Sequence, residues 1–470
     1  MTTPTREEHD FLGYMNIPDH LYYGIQTMRA RENFTITGLP ISREPLLIQA
    51  FGYVKKAAAK ANYDCGVLEQ SITDAICFAC DELIKGKYHD QFVSDLIQGG
   101  AGTSCNMNAN EVIANIGLEK MGYQKGQYDY LHPNNHVNCS QSTNDAYPTA
   151  FRMALFMKLD VFIDGLAKLE QAFAEKGNEF TNVLKMGRTQ LQDAVPMTLG
   201  QEFKAFATTV NEDIHRLREA QQLILEVNMG ATAIGTRVNA PDGYAEKCVH
   251  YLTEFSGLPV TLSPDLIEAT GDTGAYVQIM GTLKRCAIKL SKICNDLRLL
   301  SSGPRTGLNE INLPARQPGS SIMPGKVNPV IPEVVNQTCY YVIGQDLTVT
   351  MAAEAGQLQL NVMEPVIAFA MFTSIDYLGN AIDTLIHKCI TGITANADRT
   401  REMVMNSIGI VTQLNPMLGY ELCSEIAGEA LATGKSVYQI VVTERQLLTD
   451  EKWNEVFSIE NLIRPKFINR

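Results

Sequence analysis

Four polar loops, each followed by a helical pattern, contain most of the hydroxyl and amide side chains that could do chemistry. Unpaired N–H groups give a helix N-terminus a positive partial charge, so hydroxyls and amides placed there suit an anion. The same residue types also cap helices that bind nothing. Four such loops with surplus Ser, Thr and Asn favour a shared anion site that fits a small dicarboxylate. The loops are Gly99-Gly-Ala-Gly-Thr-Ser-Cys-Asn-Met-Asn108, Asn138-Cys-Ser-Gln-Ser-Thr-Asn-Asp145, Gly187-Arg-Thr-Gln-Leu-Gln-Asp193 and Gly319-Ser-Ser-Ile-Met-Pro-Gly-Lys-Val-Asn328.

The fourth loop contains a lysine that could bind phosphate, form a Schiff base or act as a fixed cation. Five residues separate Gly319 from Gly325-Lys326, where a phosphate-binding P-loop has four, and Val327 stands where Ser or Thr would bind magnesium. The first loop lacks the third glycine of a dinucleotide-binding turn. No cofactor pattern accompanies Lys326. We therefore interpret Lys326 as a fixed cation for a carboxylate.

Long helical patterns in the middle of the sequence must position these loops. Apolar residues recur at alternating spacings of four and three, which keeps one stripe of each helix facing a partner. We predict an all-α protein with a central long-helix bundle, in which Thr198 caps one of the helices. Three domains are expected, over residues 1–141, 142–396 and 397–470. The stripes are Leu155, Leu159, Phe162, Leu166, Leu169 and Phe173; Phe203, Phe206, Val210, Ile214 and Leu217; and Tyr276, Met280, Leu283, Ala287, Leu290, Cys294 and Leu297.

Composition and charge exclude several classes of protein. The chain has 470 residues, of which 45% are apolar and 19% charged, an ordinary globular balance. Asp and Glu outnumber Lys and Arg by 52 to 39, and the net charge of −13 argues against nucleic acid as the main partner. We find no apolar window long enough to span a membrane and no secretory signal. We expect a cytoplasmic protein whose eleven cysteines are reduced and hold no zinc.

Together these motifs resemble the aspartase/fumarase superfamily over almost the whole chain. The fourth loop is similar to the signature loop of that superfamily, and three further motifs agree with it. Within the superfamily the motifs are most similar to the ammonia-lyases that convert L-aspartate to fumarate and ammonia. The resemblance implies a three-domain homotetramer with a 20-helix core and active sites shared by three subunits, which would bury stripes too long for one subunit. The further motifs are Tyr22-Tyr-Gly-Ile-Gln-Thr27, Gly230-Ala-Thr-Ala-Ile-Gly-Thr236 and Leu358-Gln-Leu-Asn-Val-Met-Glu-Pro365.

The resemblance also implies a role for each site residue. Removal of a β-proton from aspartate gives an aci-carboxylate with two negative charges, which needs many preorganised donors. Ser320 would be the base that takes this proton. The resemblance implies no required cofactor and a divalent metal only as a possible activator. The β-carboxylate would bind Thr103, Ser142, Thr143 and Ser321, the α-carboxylate Thr189 and Lys326, and the amino group would lie near Asn144, Gln190 and Asn328.

Two residues depart from the pattern of the superfamily. Gln190 stands where fumarases and some aspartases have a histidine that pairs with a glutamate, here Glu333. A glutamine cannot titrate, so the site loses an acid for a hydroxide-type leaving group, whereas ammonia leaves readily from a protonated amine. Arg237 stands where we expect glycine, and it puts the conformation of that loop in question.

Other functions stay open on the sequence. The main alternative is a fumarase-like hydratase that interconverts L-malate and fumarate, against which Gln190 counts. Argininosuccinate and adenylosuccinate lyases usually have other lid residues and a catalytic histidine. A structural protein on this fold would not need the surplus donors of the four loops.

Overall fold

The computed structural model describes residues 4–463 and is 63% helical, which confirms the all-α prediction. Within these residues the helices are α1 (Ile25–Asn33), α2 (Pro45–Asp64), α3 (Gln70–Ile84), α4 (Thr103–Lys120), α5 (Thr143–Glu179), α6 (Leu199–Gln221), α7 (Tyr244–Ser256), α8 (Leu266–Gly271), α9 (Gly274–Leu300), α10 (Val330–Glu354), α11 (Glu364–Lys388), α12 (Ala397–Asn406), α13 (Asn415–Leu418), α14 (Tyr420–Thr433), α15 (Asp450–Val456) and α16 (Ile459–Ile463).

Short strands form four two-stranded sheets in the described part of the chain. Three pairs are antiparallel, and the pair β5–β6 is parallel. The strands are β1 (Thr5–Asp10), β2 (Gly13–Pro18), β3 (Leu184–Thr189), β4 (Gln192–Thr198), β5 (Glu226–Val227), β6 (Thr261–Leu262), β7 (Ile311–Asn312) and β8 (Thr394–Ala395).

The chain forms two compact units, each assembled from three stretches of sequence. The first unit comprises residues 4–164, 215–285 and 340–378, and the second comprises 165–214, 286–339 and 379–463. Several long helices therefore contribute to both units. The three-domain division with boundaries after residues 141 and 396 stays a prediction.

Aromatic contacts join the long helices inside each unit. In the first unit Phe151 of α5 lies 4.6 Å from Tyr276 of α9 and 5.4 Å from Phe372 of α11, measured between ring centroids. In the second unit Phe173 of α5 lies 6.2 Å from Phe203 of α6. Edge and tilted ring pairs of this kind add to the stability gained from burial. The long helices that carry the polar loops are thus held by their own chain.

The apolar stripes are buried within a single chain, so the expectation that one subunit could not bury them is wrong. Helices of the same chain cover them, because α5, α6 and α9 all have partners inside the two units. Every residue of the three stripes named above is no more than 8% exposed. An argument for association must therefore rest on other surfaces.

One helical stretch, Glu364–Gly392, is long and apolar enough to cross a membrane by length and composition, although it contains Asp376 and Asp383. Its mean hydropathy is 1.3, and 67% of its most apolar window is buried inside the protein. Core helices of globular proteins reach the same hydropathy. We assign α11 to the core.

The third polar loop is a β-hairpin, which the sequence analysis did not predict, and the chain then continues through Pro196 and Thr198 into α6. Residues Gly187–Thr189 belong to β3, and Gln190-Leu191 form the two-residue turn to β4. The helix α6 begins only after β4. Thr198 caps it as predicted, since its hydroxyl accepts from Gln201 N at 3.1 Å and Gln201 Oε1 accepts from Thr198 N at 2.9 Å.

Candidate active site

The second polar loop ends in a cap that presents two hydroxyls at the start of α5. Ser142 Oγ accepts from Asn144 N at 3.3 Å, and Asp145 Oδ1 accepts from Ser142 N at 3.0 Å. This reciprocal pair fixes the first turn, so that Ser142 and Thr143 stand at the positive end of the helix. Both side chains are partly exposed. The local sequence therefore builds an N-terminus that can receive an anion.

A second helix N-terminus lies beside the first. Thr103 opens α4 with an exposed side chain, and its hydroxyl donates to Gly100 O at 2.7 Å. Asn106, one turn into α4, donates through Nδ2 to Thr143 Oγ1 at 3.2 Å. The Asn106–Thr143 hydrogen bond thus joins the first turns of α4 and α5, on which Thr103 and Thr143 lie.

Asn144 points its amide nitrogen at the backbone of a neighbouring loop. Nδ2 donates to Ala233 O at 2.8 Å, within the Gly230–Thr236 motif. Two N–H groups of the same motif, of Gly230 and Thr232, donate to Asp145 Oδ2. This bond uses one of the two N–H donors of Nδ2 and fixes the orientation of the amide, and Oδ1 can accept from an ammonium group.

Lys55 on α2 is a member of this site that the sequence analysis missed. Its side chain is fully buried, and Nζ donates to Asn106 Oδ1 at 2.6 Å, Asn138 Oδ1 at 3.0 Å and Gln141 Oε1 at 2.9 Å. Burial lowers the pKa of Lys55 to about 7, and the charge of Asp145 opposes this. Burial likewise raises the pKa of Asp145 to about 7, opposed by its backbone N–H donors and by Lys55.

A sequence signal for Lys55 does exist. The buried face of α2 includes Ile48, Phe51, Lys55, Ala58 and Asn62, at spacings of three and four. A lysine inside an otherwise apolar stripe predicts burial. This signal for Lys55 is easily overlooked, because lysines in alanine-rich helices usually face solvent.

Hydrogen bonds join the two ends of the fourth loop, which lies in the second unit. Gly319 N donates to Lys326 O at 2.7 Å, and Asn328 Nδ2 donates to Gly319 O at 2.8 Å. A Cβ atom at Gly319 would lie 2.7 Å from Lys326 O, so this position needs glycine. Ser321 and Lys326 are exposed on the loop. As with Asn144, this bond fixes the orientation of the Asn328 amide, and its Oδ1 can accept from a ligand.

Ser320 lies inside this loop with its hydroxyl oxygen facing two backbone donors. Ile322 N donates to Ser320 Oγ at 3.2 Å and Met323 N donates to it at 3.1 Å. Such donors would stabilise negative charge on the oxygen. A serine that only closes a turn makes the same contacts.

Thr189 and Gln190 lie at the exposed end of the β3–β4 hairpin. Gln190 and Leu191 both have a positive φ, 54° and 61°, which side chains other than glycine or asparagine rarely adopt. Buried charges hold the base of the hairpin: Arg188 Nη1 is 2.5 Å from Glu310 Oε1. A strained turn on a fixed base is common at functional sites.

The predicted site residues thus fall into three groups. The helix starts of the first unit hold Thr103, Ser142, Thr143 and Asn144. The signature loop of the second unit holds Ser320, Ser321, Lys326 and Asn328, and the hairpin of the second unit holds Thr189 and Gln190. Among residues 4–463, no group of three or more His, Cys, Asp or Glu side chains is arranged to hold a metal ion.

Comparisons with known proteins agree with this description. A family model described as "Lyase" matches residues 13–344, and one described as "Fumarase C C-terminus" matches residues 410–464. Aspartate ammonia-lyases from Pseudomonas canavaninivorans and Helicobacter pylori are 60% and 58% identical to this chain, and each alignment covers 98% of both sequences. A crystal structure titled fumarate lyase:delta crystallin from Brucella melitensis bound to cobalt is 53% identical, with a TM-score of 0.94 over 98% of this chain and 99% of that one.

Proposed function

The chain belongs to the aspartase/fumarase superfamily and is a carbon–nitrogen lyase that converts L-aspartate to fumarate and ammonia, and we propose that Ser320 takes the β-proton in this reaction. Proton removal creates a carbanion beside a carboxylate. The charge moves onto that carboxylate, and the resulting aci-carboxylate is stable only among preorganised donors. Loss of ammonia from this intermediate then gives fumarate.

The single observation that carries the proposal is the pair of backbone N–H groups at Ser320 Oγ. Serine is a weak base, and it becomes effective only when its alkoxide is stabilised. The N–H groups of Ile322 and Met323 supply that stabilisation, and Lys326 adds a cation in the same loop. After taking the proton, the hydroxyl regains its ordinary neutral form.

The β-carboxylate has its counterpart in the helix starts of the first unit. Thr103, Ser142 and Thr143 offer hydroxyls there, and the two helix N-termini add positive partial charge. Ser321 would complete this set from the signature loop. Donors fixed in this way act most strongly on the intermediate, because it carries one more charge than the substrate carboxylate.

The other end of the substrate needs one cation and several acceptors. Lys326 and Thr189 would bind the α-carboxylate, as charge and hydroxyl donor. Asn144 and Asn328 each donate through their amide nitrogen to a backbone carbonyl, which orients the side chain, and the Oδ1 of each could accept from the substrate ammonium. Gln190 would lie near the same group.

Gln190 favours the lyase over the hydratase alternative. Its amide holds no titratable proton at this position, so it cannot act as the general acid that a departing hydroxide requires. An ammonium group needs no such acid, because its nitrogen is already protonated and leaves directly as ammonia. Two sequence relatives at 58–60% identity are aspartate ammonia-lyases, which agrees with this reading.

We further propose a cytoplasmic homotetramer in which three subunits contribute to each site. Tyr340, Leu347 and Met351 project from α10 of the first unit with exposures of 56%, 64% and 57%. Large apolar side chains in one patch mark an interaction surface. The acidic chain has no need of a nucleic acid or membrane partner, and the reaction needs no cofactor, with a divalent metal as an activator at most.

An ultraviolet assay for fumarate tests the reaction. L-Aspartate and L-malate are supplied separately, without added cofactor and then with magnesium. We expect fumarate and an equal amount of ammonia from L-aspartate, and none from L-malate. Fumarate from L-malate alone would show that the argument from Gln190 to the leaving group is wrong.

A further inference from the structure

The three hydrogen-bond partners of Lys55 suit an ammonium. An ammonium has three donors and no acceptor, and Nζ meets three amide oxygens, those of Asn106, Asn138 and Gln141. A neutral amine would turn a lone pair toward one of these oxygens. The geometry therefore favours the charged form, whereas the full burial of the side chain disfavours it.

This buried charge has no carboxylate at hydrogen-bond distance, since all three partners are neutral amides. Asp145 on α5 faces it electrostatically, as does the buried thiol of Cys80 on α3. Asp145 accepts from the backbone N–H groups of Ser142, Gly230 and Thr232, so both its oxygens are occupied. A buried charge without a close partner is costly, and an anion bound nearby would offset that cost.

The Lys55 ammonium is joined through a single side chain to the Thr143 hydroxyl, one of those proposed to bind the substrate. Lys55 donates to Asn106 Oδ1, and Asn106 Nδ2 donates to Thr143 Oγ1. The same amide thus joins the ammonium to the first residue of α5. Hydrogen bonds in series polarise one another, so the cation strengthens the donor that Thr143 presents.

We propose that Lys55 is a positioning residue that supplies the fixed positive charge behind the β-carboxylate, acting through Asn106 and the Thr143 hydroxyl. The inference rests on the proposed function, since it needs a dicarboxylate at these helix starts. A bound dianion stabilises the ammonium, and binding therefore favours the protonated lysine. In the absence of a ligand, burial lowers the pKa of Lys55 to about 7, against the charge of Asp145. Above that pH, binding of a dianion must draw a proton from solvent.

Calorimetric titration with succinate tests this without any turnover. Succinate has both carboxylates of the substrate and no amino group to eliminate. Titrations at pH 8 in two buffers of different ionisation enthalpy give the number of protons taken up. We expect uptake of a fraction of a proton by the unmodified enzyme. Lys55→Met should bind succinate at least tenfold more weakly and take up fewer protons.

Lys158→Met is the matched control. Lys158 is also a buried lysine of the first unit, but it pairs with Glu44 at 2.7 Å and with Asp376 at 2.8 Å. Its removal should lower thermal stability and leave proton uptake and succinate affinity unchanged. Equal effects of the two substitutions would reduce Lys55 to a structural role and overturn the proposal.

A second variant keeps the test valid if Lys55→Met does not fold. Asn138→Asp keeps the oxygen that accepts from Lys55, Asn106 and Asn110, and adds a negative charge 3.0 Å from Nζ. An opposite charge this close raises a lysine pKa by about one unit or more. We expect the alkaline limb of kcat/KM for L-aspartate to move up by about that much, with weaker succinate binding.

The outcomes separate the two proposals. If the unmodified enzyme fails to bind succinate, the dicarboxylate site itself is wrong and the role of Lys55 falls with it. If it binds succinate without proton uptake and Asn138→Asp leaves the alkaline limb in place, the role of Lys55 alone is overturned. A purely structural lysine would change stability and leave the pH profile where it was.

Discussion

Ser320 can act as a base because two backbone N–H groups, those of Ile322 and Met323, donate to its oxygen and would stabilise its alkoxide before it takes the proton. The cation of Lys326 in the same loop adds to this stabilisation. The roles of the signature-loop residues come from the resemblance to the superfamily, and they stay predictions. Lys55 was missed although its place in the buried stripe of α2 indicates burial, because its three hydrogen-bond partners lie far away in sequence.

Buried Glu364 at the start of α11 gives a prediction for the pH dependence of stability. Burial raises its pKa from an ordinary 4.5 to about 7, against the charge of Arg152. The folded state then keeps a proton that the unfolded state has lost. The resulting stability is complete below about pH 4.5 and is lost as the pH rises through about 7.

The substitution Glu364→Gln removes this titration while keeping an oxygen for the Tyr276 hydroxyl. We expect its melting temperature, measured by calorimetry, to fall less than that of the unmodified enzyme between pH 5 and pH 8. Glu354→Gln, at the exposed end of α10, is the control and should keep the original slope. If Glu364→Gln kept the original pH dependence of the melting temperature, the assignment of this titration to Glu364 would be wrong.

The elements that hold the site were predictable where helix rules apply. The caps at Ser142 and Thr198 follow from side-chain type, and both are observed. The β3–β4 hairpin was not predictable, because its turn is Gln190-Leu191 where such turns favour Asn-Gly. Burial of Leu184 and Met186 in the C-terminal core of the second unit outweighs the poor turn. Tertiary packing of this kind leaves no local signal.

Arg237 shows the same conflict in a loop of the first unit. The sequence led us to expect glycine there, and the residue has a φ of 59°, which strains any side chain with a Cβ. Its guanidinium contacts Glu246 Oε1 at 2.8 Å, in an exposed ion pair of small value. Arg237→Gly should therefore stabilise the protein by about 0.5–1 kcal/mol, measured by urea unfolding.

Arg237→Ala is the matched control for this prediction. Alanine loses the ion pair and keeps the strain, so it should be no more stable than the unmodified enzyme. A stabilising alanine and a neutral glycine would show that the ion pair, rather than the backbone, sets the energy at this position.

At the scale of the whole molecule, the long apolar stripes form the core of a single subunit. Each stripe is covered by helices of its own chain, so periodicity alone did not predict association. The exposed patch of Tyr340, Leu347 and Met351 could not be recognised in the sequence, because the buried and exposed sides of α10 are both apolar. Only the fold distinguishes the two sides.

If sites are shared between subunits, as we propose, two inactive variants should complement each other. Ser320→Ala and Thr143→Ala should each be inactive as pure proteins, because each removes one group from every site. Dissociation and joint reassembly of equal amounts should restore about a quarter of the full activity, since about a quarter of mixed sites receive both intact residues from different chains. The fumarate assay measures the recovery. No recovery in verified mixed tetramers would place both residues in one chain per site.

The central claim is that Ser320 is the base, and the most direct measurement is the kcat of Ser320→Ala for fumarate formation from L-aspartate. The assay must be accompanied by the oligomeric state and succinate affinity of the variant, to show that assembly and binding survive. We predict a fall in kcat of about 10³-fold or more, as expected for loss of a general base, with assembly and affinity unchanged. An intact Ser320→Ala enzyme with full kcat would contradict the account and leave Ser320 as a residue that only closes its turn.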